Sequence, residues 1–216
     1  MAVITSIKPN RGARGRVSVF LDGRFFCSML ESIAEQHGLQ EGGEVEIEDL
    51  HLLQEVDAYA QALDAAVRYL SYRPRSEREV RMRLRRGNFA PEHVERVLET
   101  LRRYGYVDDA GFARYWKEAR DQFSPRGSRL VAMELRQKGI DRDVIEDVVD
   151  DEQDDEHAYT AARKKAQQLR ALPYPDFRQR LGSYLARRGF DYDVISDVVQ
   201  RLWREREGSA EDVEAE

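Results

Sequence analysis

Apolar positions change period along the chain, and the changes divide it. Near the start they alternate: Val17, Val19 and Leu21 are separated by Ser18 and Phe20, the period of a strand with one buried face. An earlier strand over residues 3–7 is expected to pair with it, and Asp22-Gly23 is a hairpin-type turn leading into residues 24–27. A short helix is expected over 28–37, stopped by Gly38, with Met29, Ile33 and Ala34 on one side. Val45 and Ile47, alternating with Glu44, Glu46 and Glu48, predict a short strand. From Asp49 onward the period is helical.

The helical part repeats itself. Leu84 to Phe89 can be laid over Leu135 to Ile140 and Leu185 to Phe190, at offsets of 51 and 50 residues. Four residues before each leucine stand Val80, Val131 and Leu181, and ten after it Val94, Ile145 and Ile195. Each copy therefore predicts a helix ending in leucine, a turn with Asn or Gly where a left-handed backbone is tolerated, an apolar residue and another helix. A further helix precedes each pair, at 62–70, 112–123 and 158–169, followed by Pro74, Pro125 or Pro173. Three short helices cannot bury their apolar faces unless they wrap on one another and on a neighbour. The expected organisation is a β-containing segment (1–57), three-helix repeats at 58–107, 108–153 and 154–207, and an acidic disordered tail (208–216).

Charge follows the same divisions. The net charge of −6 disguises segments of −5 (1–58), +4 (59–108), −6 (109–156), +5 (157–207) and −4 (the tail), which argues against a uniformly basic nucleic-acid binder. No apolar run is long enough for a bilayer and the start lacks a charged-then-apolar signal region, so a cytoplasmic, membrane-free chain is expected. Cys27 is the one cysteine and reads as a small buried hydrophobe. The four histidines are scattered, and no P-loop, G-x-S-x-G elbow or H-E-x-x-H occurs. No catalytic residue, cofactor or metal ligand is therefore expected.

The best candidate surface is the middle helix of the first repeat, SEREVRMRLRR over 76–86. Ser76 and Glu79 make a capping box. With Val80 and Leu84 inward, Arg78, Arg81, Arg85 and Arg86 are expected on the solvent face, preceded by Arg73 and Arg75. Such a face suits phosphates or an acidic protein partner, or is simply a solvated helix surface. The second repeat has Arg129, Met133 and Arg136 there and the third Gln179, Ser183 and Ala186, so the stripe fades along the chain. The loop NRGARGR (10–16) could touch phosphates too, though its glycines equally suit a hairpin loop. Asp108 and Asp109 are paired carboxylates better explained as helix caps, and the acidic run 151–156 reads as a solvated hinge.

The junction RYGYVDDAGFARYW (103–116) adds a family resemblance. Gly105-Tyr106-Val107-Asp108-Asp109 with Phe112-Ala113 resembles the signature joining the first two repeats of the RecX family, regulators of the RecA recombinase. The flanking AVRYLSYRPRS (66–76), Arg126-Gly127 and MELRQKGI (133–140) are similar as well. The resemblance implies tandem three-helix repeats in an elongated, curved, all-α body. It further implies a non-enzymatic role, docking in the groove of the RecA–DNA filament and limiting its growth, ATP hydrolysis and strand exchange; a monomer is expected. The other reading left by the residues is a sequence-tolerant DNA-binding module of helix-turn-helix-like repeats, meeting single- or double-stranded DNA through phosphates.

Overall fold

The computed structural model describes residues 1–214, with side-chain surroundings up to Gly208. It forms two compact units, Met1–Arg73 with Val80–Tyr106, and Pro74–Glu79 with Val107 onward.

The first unit begins with four antiparallel strands, β1 (Ala2–Pro9), β2 (Arg16–Leu21), β3 (Arg24–Leu30) and β4 (Glu44–Val45), in the order β3-β2-β1-β4. Alternation places Val17, Val19 and Leu21 of β2 inward, where they meet Cys27 and Met29 of β3 in one core. Helix α1 (Glu31–Gln36) adds Ile33 and Ala34, and α2 (Ile47–Leu70) adds Leu50 and Leu53. Burial and then the Asp57 carboxylate push the Cys27 thiol up to about 11, against the opposing pull of Arg16, so this thiol is an inert core group.

Three local expectations are corrected here. The helix expected over 28–37 yields its first three residues to β3, because Ser28, Met29 and Leu30 pair with Ser18, Val17 and Arg16. The strand expected through Ile47 stops at Val45, opposite Ala2, and Ile47 instead opens α2. The boundary expected at residue 57 falls inside α2, which runs unbroken for 24 residues. The helix buries Leu50 and Leu53 against the sheet and, about half a turn round its axis, Ala62 and Ala66 further on, so one continuous helix spans the change of core without a linker. Asp57, only 3% exposed, fixes the crossover: it receives Arg16 Nη2 at 2.8 Å and Nη1 at 3.1 Å, and the Leu30 N–H at 2.8 Å. Arg16 is thereby committed to the interior of the fold rather than to the loop surface.

After α2 come α3 (Glu77–Arg86) and α4 (Pro91–Arg103), the latter packing on α2. The second unit continues with α5 (Asp109–Phe123), α6 (Ser128–Gln137), α7 (Arg142–Val148), α8 (Asp154–Gln168), α9 (Tyr174–Ala186) and α10 (Tyr192–Glu214). The protein is thus mainly helical, with three three-helix repeats after a small β-containing segment. Val80, Val131 and Leu181, and likewise Leu84, Leu135 and Leu185, are all buried. Truncating any of these leucines to alanine would cost ~3 kcal/mol. The turns after α3, α6 and α9 place Asn88, Gly139 and Gly189 at φ of 58°, 85° and 86°, the left-handed backbone that the aligned Asn and Gly positions predict.

Helical backbone in α10 continues to Glu214, through most of the stretch whose composition predicts disorder, while 215–216 lie outside the described residues. Glu and Ala are good helix formers, and a helix already nucleated on Val198, Val199 and Leu202 propagates through them.

Candidate functional site

The capping box at the start of α3 is present: the Glu79 N–H donates to Ser76 Oγ at 3.2 Å, and the Ser76 N–H to Glu79 Oε2 at 3.3 Å. From this fixed start, Val80 and Leu84 point inward, and Arg78, Met82, Arg83, Arg85 and Arg86 are exposed. Arg81 departs from the expected solvent face. It is one helical step, about 100°, from Val80, and this leans it toward α4, where it ion-pairs with Glu95. Arg83, not among the expected residues, stands exposed on the opposite flank, which the helical period makes equivalent to the first. Arg73 and Arg75 are half-buried in the linker before α3 and engaged by neighbours.

On α6 the corresponding positions are Arg129, Met133 and Arg136, all exposed; Arg129 lies 3.8 Å from Asp191, a loose contact between solvated groups. The matching face of the third repeat is different in kind. There Gly182 and Ala186 of α9 and Tyr192 and Ile195 of α10 line an open groove of about 460 Å³, with Tyr174 and Pro175 at one end.

The two aspartates of the 103–116 junction do separate jobs. Asp108 caps α5 by accepting the Ala110 N–H at 3.0 Å. Asp109 Oδ1 instead accepts the Glu77 N–H at 2.8 Å, satisfying a donor at the start of α3. Burial holds its carboxyl above the ordinary range, the Glu77 N–H opposing. Asp154, the first residue of α8, repeats the arrangement at the start of α6. It accepts the Ser128 N–H at 3.1 Å and the Ser128 hydroxyl at 3.0 Å while only 6% exposed, and burial again raises its pKa. This corrects the reading of 151–156 as a wholly solvated hinge: the acidic run hides one structural carboxylate.

A second group of arginines, absent from the sequence reading, surrounds Glu134 of α6. Arg120 Nε donates to Glu134 Oε2 at 2.8 Å, Trp116 Nε1 to the same oxygen at 2.7 Å, and Arg126 pairs with Oε1. Arg188 donates through Nη1 to the Pro125 carbonyl at 3.0 Å and more weakly to Ser124 Oγ at 3.5 Å. The available signals were the Arg126-Gly127 dipeptide and the Arg187-Arg188-Gly189 turn, whose proximity no helical period reveals. Among the described residues no group of His, Cys, Asp and Glu is placed to hold a metal, and no helix is long and apolar enough to cross a membrane.

Family models match nearly the whole chain in order: the regulatory protein RecX N-terminal domain at residues 2–46, then the RecX first, second and third three-helix domains at 62–109, 108–149 and 151–199. Among similar proteins, the regulatory protein RecX of Lactobacillus johnsonii is 31% identical over 205 residues, covering 94% of this chain and 75% of that one. That of Bacillus licheniformis is 29% identical over 214 residues, covering 98% and 81%. A crystal structure of a regulatory protein RecX matches with a TM-score of 0.67 at 27% identity, covering 92% of this chain and 98% of the other. The structure of RecX from Lactobacillus salivarius matches with a TM-score of 0.61 at 26% identity, covering 68% and 97%.

Proposed function

This chain belongs to the RecX family, and from that membership we propose that it binds the RecA recombinase filament in the cytoplasm, docking as a monomer in the filament groove. There it limits filament growth, ATP hydrolysis and strand exchange without catalysing a reaction of its own. The observation that carries this reading is the run of all four family domains, in order, along one chain whose relatives are regulatory proteins. Successive repeats of one protein suit a partner that is itself a repeating polymer, since linked modules raise one another's effective concentration.

The partner-facing residues in this reading are Arg78, Arg85 and Arg86 on α3 and Arg129 and Arg136 on α6, which lie exposed where the core valines and leucines do not. Arg73, Arg75 and Arg81 support the face from half-buried positions. The purified chain should suppress the DNA-dependent ATPase of RecA at stoichiometric ratios while hydrolysing no nucleotide itself. Full ATPase activity in its presence would refute the proposal.

A second reading, a sequence-tolerant DNA-binding module, is favoured by the exposed run Arg83, Arg85 and Arg86 at the end of α3. It predicts binding to naked DNA that falls steeply with salt and is lost when Arg78, Arg81 and Arg85 become Glu.

A further inference from the structure

Two arginines hold one carboxylate in the second unit, and a third stands close enough to them for its charge to be felt by Arg126. Arg120 comes from α5, Arg126 from the linker after it and Arg188 from the turn after α9, while Glu134 is the acid they share or adjoin. The Glu134 side chain is only 11% exposed, and those of Arg120 and Arg126 are 24% and 31% exposed. Two positive charges thus share one carboxylate in a partly desolvated place, with Arg188 beside them bonded only to neutral oxygens; Lys138, which stands over the same Trp116 ring as Arg120, has its own acid in Glu79. The cations feel one another: burial first, and then the charges of Arg120 and Arg188, pull the Arg126 pKa below its ordinary value. Bringing like charges together away from water is unfavourable unless an anion completes the site.

The donors for such an anion are available. A guanidinium carries five N–H groups, and the bonds described above use only a minority of them on each arginine. Two of the three planes are steadied by aromatic rings, Arg120 over Trp116 at 4.4 Å and Arg188 over Tyr184 at 4.8 Å. Planar forks of this kind match the oxygens of a phosphate, and the two uncompensated charges match a phosphate better than a single carboxylate. Beside the cluster is an aromatic side chain that the core does not use. Phe123, the last residue of α5, is 79% exposed and immediately precedes Ser124, whose Oγ meets Arg188. An exposed ring next to a cationic cluster is the arrangement on which nucleobases stack.

We propose that Arg120, Arg126 and Arg188 form an anion site that takes the phosphate of a nucleotide unit, with Phe123 as the stacking surface for its base. Its residues are other than the arginines on α3 and α6 named above. The nucleotide unit is part of a free mononucleotide or of a single strand, and the two sources separate by experiment.

The full-length chain is titrated at low salt with pyrophosphate, a mononucleotide and a labelled oligothymidylate, alongside Arg126→Gln, Phe123→Ser and Arg78→Glu/Arg85→Glu variants. Arg126→Gln should weaken all three ligands about tenfold, the scale of one lost charge-assisted contact. Phe123→Ser should weaken only the ligands that carry a base, and Arg78→Glu/Arg85→Glu should leave pyrophosphate binding unchanged. Tighter binding of the oligonucleotide than of the mononucleotide identifies a strand as the ligand, and equal binding a free nucleotide. The proposal is overturned if none of the three binds, or if a folded Arg126→Gln chain binds them as the unaltered one does. Should Arg126→Gln fail to fold, unchanged oligonucleotide and mononucleotide binding by Phe123→Ser overturns it instead.

Discussion

The two places where a turn of one repeat meets the start of a middle helix, both within the second unit, use the same backbone plan with different chemistry. At the first, the turn after α6 meets the start of α3: Ser76 Oγ donates to the Lys138 carbonyl at 2.8 Å, and Lys138 Nζ reaches Glu79 at 2.7 Å. At the second, the turn after α9 meets the start of α6, and the donor to the Arg188 carbonyl is the Gly127 N–H itself, at 2.9 Å. In both, an aspartate at the start of the next repeat satisfies a backbone N–H, Asp109 for Glu77 and Asp154 for Ser128. The first seam is polar, with one acid for its lysine. The second is closer in backbone and carries Arg126, paired with Glu134, and Arg188, bonded to the Pro125 carbonyl.

The aligned positions in the first and third repeats carry residues of another kind. At the aligned turn position the first repeat has Gly87, which has no side chain to reach a neighbour as Lys138 and Arg188 do. At the position of Ser76 and Gly127 the third repeat has Phe177, buried in its own core.

The largest loss is expected at Gly127. A Cβ there would lie 2.3 Å from the Gly189 carbonyl oxygen, 2.5 Å from its carbon and 2.7 Å from the Phe190 nitrogen, all backbone atoms that no side-chain rotation can clear. Gly127→Ala should cost about 3 kcal/mol or more, as overpacking against rigid atoms does, read as a fall in the urea midpoint of unfolding. The equivalent residue of the first seam is already serine, so the same Cβ is accommodated there. A Gly127→Ala chain as stable as the unaltered one would mean the second seam is not close-packed.

Removing the carboxylates comes next. Asp154→Ala leaves the Ser128 N–H and hydroxyl without their buried acceptor and should cost about 2 kcal/mol, with Asp109→Ala costing less because one N–H is stranded rather than two donors. Ser76→Ala at the first seam should cost about 1 kcal/mol, the value of a helix cap, though its bond to Lys138 is lost with it. Equal losses at Asp109 and Asp154 would erase the proposed asymmetry.

How far the sequence shows these features follows from the range of each interaction. Val80, Leu84 and their counterparts were legible because helical period and the repeat spacing are local properties, and the turns because Asn88, Gly139 and Gly189 answer to a backbone need at one residue. The seams were not, since Ser76 and Lys138 are 62 residues apart and no period links them. Asp154 was hidden for another reason: in an acidic run, composition says solvated, and only the packed structure separates the one carboxylate that accepts Ser128 from neighbours that face water. Arg81 sits at a flank position, where 100° from the core can mean solvent or the next helix, and period alone does not separate the two.

The smallest expected effect is on pH dependence, and its sign tests whether the seam aspartates are strained as anions. Burial raises both Asp109 and Asp154 above the ordinary carboxylate value of 3.8. An acid whose folded pKa exceeds its unfolded one holds more proton when folded, so between the two values stability falls as pH rises and is regained as pH falls. These two groups should therefore stabilise the chain modestly as pH drops from neutrality through their raised values toward 3.8, opposing the loss expected from exposed ion pairs such as that of Asp150, whose pKa Lys117 lowers. Comparing urea midpoints at about pH 7 and about pH 5 in the unaltered chain and in Asp154→Asn isolates the second seam, since the amide retains an acceptor but cannot titrate. The unaltered chain should gain relative to the variant on acidification; a relative loss would mean that the Ser128 hydrogen bonds, rather than burial, dominate the carboxylate, and that the second seam is held by charge as the first is.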